Sequence, residues 1–121
     1  MTDSAGTRPD LRYLFAFTAR RAEVAAFYRD VLGLDIEEAK QDAVWFGTHG
    51  ARFSVHDDDD RQTAKEVRDS HAFVMGLGVD DVEVAHDRAR RAGAVVERFE
   101  NWFFVRDPDG RYVVVSPKRA R

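Results

Sequence analysis

The chain has 121 residues, 44% hydrophobic and 34% charged, with no cysteine and a formal net charge of −3. That length suits one domain, which buries roughly two-thirds of the surface it would expose unfolded. The composition excludes disulfides, thiolate metal sites and a cysteine nucleophile; it lacks the basic excess of a duplex-binding domain, and no run of about 18 apolar residues offers a membrane span. The polar start MTDSAGTRPD has no apolar stretch of the signal-peptide kind, so a cytoplasmic location is expected. Nine Phe, three Tyr and two Trp make an aromatic-rich chain, which composition alone assigns mostly to core.

The first expected element is an apolar, aromatic strand from Arg12 to Thr18. A helix follows over 21–32, with Val24, Phe27, Tyr28, Val31 and Leu32 at helical spacing and Gly33 as its C-terminal cap. Strands are expected near 34–39, 43–48 and 51–56, the last two joined by a turn at His49-Gly50. Four consecutive aspartates, Asp57 to Asp60, repel one another and mark an exposed linker; without turn glycines or spaced ligands they do not make a cation loop. A strand near 72–79 leads to Asp80-Asp81, one of which should cap a helix over 82–92 that Gly93 ends. Strands near 94–99 and 102–106 come next, then the turn Asp107-Pro108-Asp109-Gly110 and a β-branched strand from Tyr112 to Ser116. His49 and His86 are expected in solvated, structural places.

The second half repeats the first at an offset of 60. Glu23-Val24-Ala25 matches Glu83-Val84-Ala85, Gly33 matches Gly93, and Ile36-Glu37 matches Val96-Glu97. Two βαβββ modules, the phrase Ala26-Phe27-Tyr28-Arg29-Asp30-Val31-Leu32-Gly33-Leu34 and the Asp-Pro-Asp-Gly turn together resemble the glyoxalase / bleomycin-resistance / extradiol-dioxygenase (vicinal oxygen chelate) superfamily. The resemblance covers about residues 11–117 and implies a single α+β domain over 1–121, with a curved mixed sheet around a concave cleft and helices on the convex side. Module one would span about 11–56, the exposed linker about 57–70 and module two about 71–117.

The superfamily's enzymes hold a divalent ion on His, Gln or Glu from the first and last strands of the modules. The matching positions here are Tyr13, Ser54, Val74 and Val114, which are not an ordinary donor set. A longer connection would move His71 to the place of Val74 and restore one ligand. The resemblance therefore points to the metal-free, bleomycin-resistance-like branch, with no metal, no cofactor and no catalytic residue expected.

Strand alternation places Tyr13, Phe15 and Phe17 on the cleft face, with Arg52, Ser54 and His56, then Ala72, Val74 and Gly76, then Tyr112, Val114 and Ser116. Leu14, Phe53, Val55, Phe73, Val113 and Val115 fall on the opposite face, under the helices. Trp45 and Trp102 are candidates for stacking on a flat ligand. The expected ligand contacts are thus Tyr13, Phe15, Phe17, Trp45, Arg52, Ser54, His56, Val74, Trp102, Tyr112 and Val114, in an apolar cleft with a few orienting polar groups. The leading expectation is a small-molecule binder that sequesters an aromatic antibiotic or natural product, which the acidic balance would let be cationic. The alternative is a lyase, transferase or dioxygenase, metal-dependent or using Tyr13 and His56 as acid and base. A homodimer is expected, and neither nucleic acid nor membrane is an expected partner.

Overall fold

The computed structural model describes residues 13–59 and 74–118. Two four-stranded sheets, each with one helix, make up an α+β fold. The first sheet contains β1 (Tyr13–Thr18), β2 (Asp35–Ala39), β3 (Ala43–Gly47) and β4 (Arg52–Asp57), with α1 (Arg21–Asp30) between β1 and β2. The second contains β5 (Met75–Val79), β6 (Val95–Arg98), β7 (Phe103–Arg106) and β8 (Tyr112–Pro117), with α2 (Val82–Arg91) between β5 and β6. Strand order is β1-β4-β3-β2 in one and β5-β8-β7-β6 in the other. The first strand of each module runs parallel to the last, and the remaining pairings are antiparallel. Two βαβββ modules account for the ten elements among the described residues. The expected linker lies mostly outside the described residues, as do His71, Ala72 and Phe73; β4 runs through Asp57.

Local chemistry sets the helix ends. Asp81 caps α2 as expected, its carboxylate accepting from the Glu83 and Val84 backbone N–H groups at 3.0 and 3.1 Å. The start of α1 has no side-chain cap; Arg20 N–H donates instead to Thr18 Oγ1. At the far end of α2, Gly93 N–H bonds the Arg90 carbonyl and Ala94 N–H the Ala89 carbonyl, a Schellman closure. α1 stops at Asp30, two residues before the expected Leu32, and Gly33 then turns the chain at φ +80°. A side chain at Gly33 would also strike the Arg88 guanidinium.

Core residues follow the expected alternation. Phe53, Val55, Val113 and Val115 are buried and Leu14 packs against them, while α1 contributes Val24, Ala25 and Tyr28. The Tyr28 ring lies 4.7 Å from Phe53 and 6.3 Å from Phe46, which identifies that sheet face as the one under α1. Buried residues of both modules form one cluster, and each full burial of a Val or Phe contributes roughly 1.5–3 kcal/mol. His86 departs from expectation: its ring meets Phe103 at 5.2 Å, because the inner face of α2 carries it onto the sheet.

A polar clamp joins the modules. The Tyr28 hydroxyl of α1 donates at 2.8 Å to Asp107 Oδ2, in the turn before β8. Asp107, whose side chain is fully buried, also accepts from Arg111 Nη1 at 3.0 Å and from the backbone N–H of Asp109 and Arg111. Arg111 Nη2 reaches back to the Phe17 carbonyl of β1. Burial first, then the Asp107 carboxylate, holds the Tyr28 hydroxyl well above the usual phenol range. Nearby, Arg20 bonds Asp109 Oδ1 at 2.9 Å and the Pro108 carbonyl.

Candidate binding faces opposite the helices

The face of the first sheet turned away from α1 carries the rings of β1 and β3. Register puts Tyr13 beside Arg52, Phe15 beside Ser54 and Phe17 beside His56, while Trp45 stands across β4 at Ser54. Tyr13 and Phe15 stack at 5.8 Å between centroids, and the Trp45 ring meets both edge-on at 5.9 and 5.7 Å. His56 lies 5.1 to 5.7 Å from Phe15, Phe17 and Trp45. Tyr13 and Phe15 remain 48% and 50% exposed, whereas Phe17 is buried at 5%. Of the three β1 rings, Tyr13 and Phe15 thus offer a surface and Phe17 supports it.

Polar groups on this face are few and tied down. Ser54, fully buried, has its hydroxyl 2.7 Å from His56 Nε2. The Arg52 guanidinium lies 4.4 Å from the Trp45 ring centroid and pairs with Glu37 Oε1 at 2.8 Å. Its Nε is buried and has no acceptor among the described residues. Glu37 owes this position to a register irregularity in β2, where Ile36 pairs with Phe46 and Glu38 with Trp45.

The matching face of the second sheet is built differently. Gly76 pairs with Val114 and Gly78 with Ser116, so β5 contributes little bulk. Val74, at 61% exposure, precedes β5, and a side chain added at Gly76 would meet open space. The rings lie on β8 and on the β6–β7 hairpin beyond it. Phe99 and Trp102 stack at 4.2 Å and 15° across the β6–β7 turn. Trp102 lies 6.0 Å from Phe104, Phe104 meets Tyr112 at 5.7 Å, and Arg106 Cζ stands 5.0 Å over the Tyr112 ring. The ring contacts therefore form two sets, one on each sheet. Tyr13, Phe15, Phe17, Trp45, Arg52, Ser54 and His56 belong to the first; Trp102 and Tyr112 belong to the second, with Val114 beside Phe104.

Three residues of the second set, Phe99, Phe104 and Arg106, are missing from the expected contacts. Alternation from Trp102 would have found the last two, since residues 102, 104 and 106 share a face. Phe99 has no such signal, because it joins the set through the turn that pairs its N–H with the Trp102 carbonyl.

A divalent ion of the superfamily's kind does not fit these positions. Val74 and Val114 carry no donor atom, Tyr13 stacks on Phe15, and the Ser54 hydroxyl is engaged by His56. Among the described residues, no group of three or more His, Asp or Glu side chains could hold a metal ion.

Comparison with known proteins agrees with this architecture. The Glyoxalase-like domain family matches residues 14–116. An integron cassette protein from the mobile metagenome of V. cholerae is 20% identical with a TM-score of 0.76, over 93% of this chain and 97% of that one. Lactoylglutathione lyase from Agrobacterium tumefaciens is 20% identical at a TM-score of 0.68, covering 91% and 94% of the two chains. A glyoxalase/bleomycin resistance protein/dioxygenase family enzyme from Burkholderia phytofirmans PsJN is 19% identical at 0.71, covering 90% and 98%. At these identities the likeness is one of fold. No curated protein matches the chain. No helix among the described residues is long and apolar enough to cross a membrane. With its paired modules, its Asp-Pro-Asp-Gly turn and the family match across residues 14–116, the chain belongs to the glyoxalase-like domain family.

Proposed function

We propose that this protein binds a flat aromatic small molecule between the ring-bearing faces of its two modules and holds it unchanged, without a metal, as a sequestering, resistance-type protein does. The observation that carries the reading is the loss of a donor set, with Tyr13, Ser54, Val74 and Val114 at its positions, and the rings that gather around the first of these. Where the fold family places chelating side chains, this chain has Tyr13 stacked on Phe15, with Trp45 edge-on to both. Exposed, preassembled rings bind planar arenes with little loss of side-chain freedom, because their orientation is already fixed by neighbours. A flat natural product or antibiotic fits that surface. A homodimer, in which modules of two chains face each other, would extend it.

The enzyme reading retains one specific support, the 2.7 Å contact between Ser54 Oγ and His56 Nε2 beside Phe15 and Phe17. It sets the imidazole in a fixed orientation, as a general base requires. The named lyase among the structural neighbours shows that the fold supports catalysis. The two readings differ in the fate of the ligand. Incubation with a panel of planar aromatic compounds, followed by mass spectrometry, should return the bound compound at its original mass. Turnover of any bound compound would replace sequestration with catalysis, and a His56→Ala variant that binds but no longer converts would name the base.

A further inference from the structure

The sequence as a whole is acidic, which by itself favours a cationic ligand, but the ring series of module two ends in a cation. Arg106 stands on that face because it pairs with Tyr112 in the β7–β8 register. Its Nη2 donates to the Tyr112 hydroxyl at 2.8 Å and its Cζ lies 5.0 Å over the same ring. These contacts hold the guanidinium at one end of the Phe99–Trp102–Phe104–Tyr112 series without neutralising it. Among the described residues Arg106 makes no ion pair, whereas Arg52 on the other module pairs with Glu37, Arg111 with Asp107 and Arg98 with Glu83. Glu97, across from Phe104 on the same face, makes no ion pair with Arg106 either.

We infer that Arg106 is an anchor for the carboxylate of the bound compound, so that the ligand is an aromatic carboxylic acid. This rests on the proposed binding of a planar arene to these faces. The chemistry is that of a planar cation and a planar anion. An aryl carboxylate laid along the rings brings its two oxygens to the guanidinium, which still has unused N–H donors, and such pairs favour Arg over any point charge. The Tyr112 hydroxyl acts as a positioning group: it directs Nη2 and leaves the remaining donors toward the arene. A cationic arene brought to the same place would meet a like charge.

The test compares two isosteric probes, 2-naphthoate and 2-naphthamide, by quenching of tryptophan emission in the full-length chain. The wild type should bind the acid more tightly than the amide by about tenfold, as one charge-assisted hydrogen-bonded pair allows. Arg106→Gln should lower affinity for the acid to that for the amide and leave the amide unchanged. Arg90→Gln, on the outer face of α2, should retain the preference. Equal binding of both probes by the wild type, or a preference that survives Arg106→Gln, overturns the anchor while leaving arene binding in place. Failure of both probes to bind overturns the anchor together with the reading on which it rests.

Discussion

In β1 the residues turned away from the helix are Tyr13, Phe15 and Phe17; at the matching places ahead of and along β5 are Val74, Gly76 and Gly78. The equivalence follows from register, since Leu14 pairs with Phe53 as Met75 pairs with Val113. One backbone plan thus carries a ring wall in module one and nearly bare strand in module two. The second module keeps its rings away from its first strand, with Tyr112 on β8, Phe104 on β7 and Trp102 just ahead of β7. Duplication explains the shared plan, and the side chains on the unconstrained face account for the divergence. The faces under the helices diverge far less, because packing tolerates only apolar groups of suitable volume there. Phe46 and Phe53 in one module answer to Val105 and Val113 in the other, all buried.

The largest expected effect comes from removing what joins the unlike modules. Asp107→Ala leaves Arg111 with Asp109 as its remaining counter-ion and Tyr28 without its acceptor, and should destabilise the protein by about 2–4 kcal/mol in urea unfolding, because four hydrogen bonds to a buried carboxylate are lost. A loss under about 1 kcal/mol would mean that the clamp contributes little to joining the modules. Next in size is Trp45→Ala, which removes the ring that meets Tyr13 and Phe15 edge-on. It should weaken binding of a planar arene by about tenfold or more, and unaltered affinity would move the ligand off module one. Asp81→Ala should cost about 1 kcal/mol by uncapping α2; an unchanged unfolding midpoint would show that the cap contributes nothing to stability.

Gly76→Phe copies module one's ring into module two. Because a side chain there meets open space and Gly weakens a strand, stability should rise by up to about 1 kcal/mol. Arene affinity should fall if the bare strand is where the ligand enters, and an unchanged affinity would dissociate β5 from binding.

The smallest effect is on acid stability. Burial acts to raise the Asp109 carboxyl, but bonds from Thr18 and Arg20 and the charge of Arg111 outweigh it, so its pKa is lowered on folding. A carboxylate with a lowered folded value contributes stability above its unfolded pKa of about 3.9, and that contribution disappears as pH falls through the lower folded value. Asp109→Asn should therefore lose stability relative to wild type at neutral pH and converge with it in acid; a gap that stays constant would remove Asp109 from the acid response.

The repeat, the Gly33 and Gly93 stops, a cap from the Asp80-Asp81 pair and the parity of β1, β4, β5 and β8 were legible in sequence, because each depends on neighbours a few residues away. The clamp was not. Tyr28 and Asp107 are brought together only by the packing of one module on the other, and no periodicity relates them. The offset of 60 also fails across the β2–β3 and β6–β7 hairpins. Trp45 answers to Phe104, since each pairs with a glutamate after a register irregularity, Glu38 and Glu97, and each faces the central strand at Ser54 and Val114. A strict repeat of 60 sets Trp45 against Val105 instead of Phe104, so the first module's ring face does not map onto Phe104, and only alternation carried on from Trp102 reaches Phe104 and Arg106. His86 was missed for a simpler reason: a helix with three arginines in its last turn reads as solvated until its inner face meets Phe103.

The chain's two tryptophans stand on different modules, Trp45 on the first ring set and Trp102 on the second. Each can therefore report separately in the single-tryptophan variants Trp102→Phe and Trp45→Phe, which keep a ring at the altered position. Titrating both with one planar aromatic compound tests whether the two unlike faces form one binding site. The account predicts that both emissions change with the same midpoint; silence in both variants, or midpoints that bear no relation to each other, would contradict it.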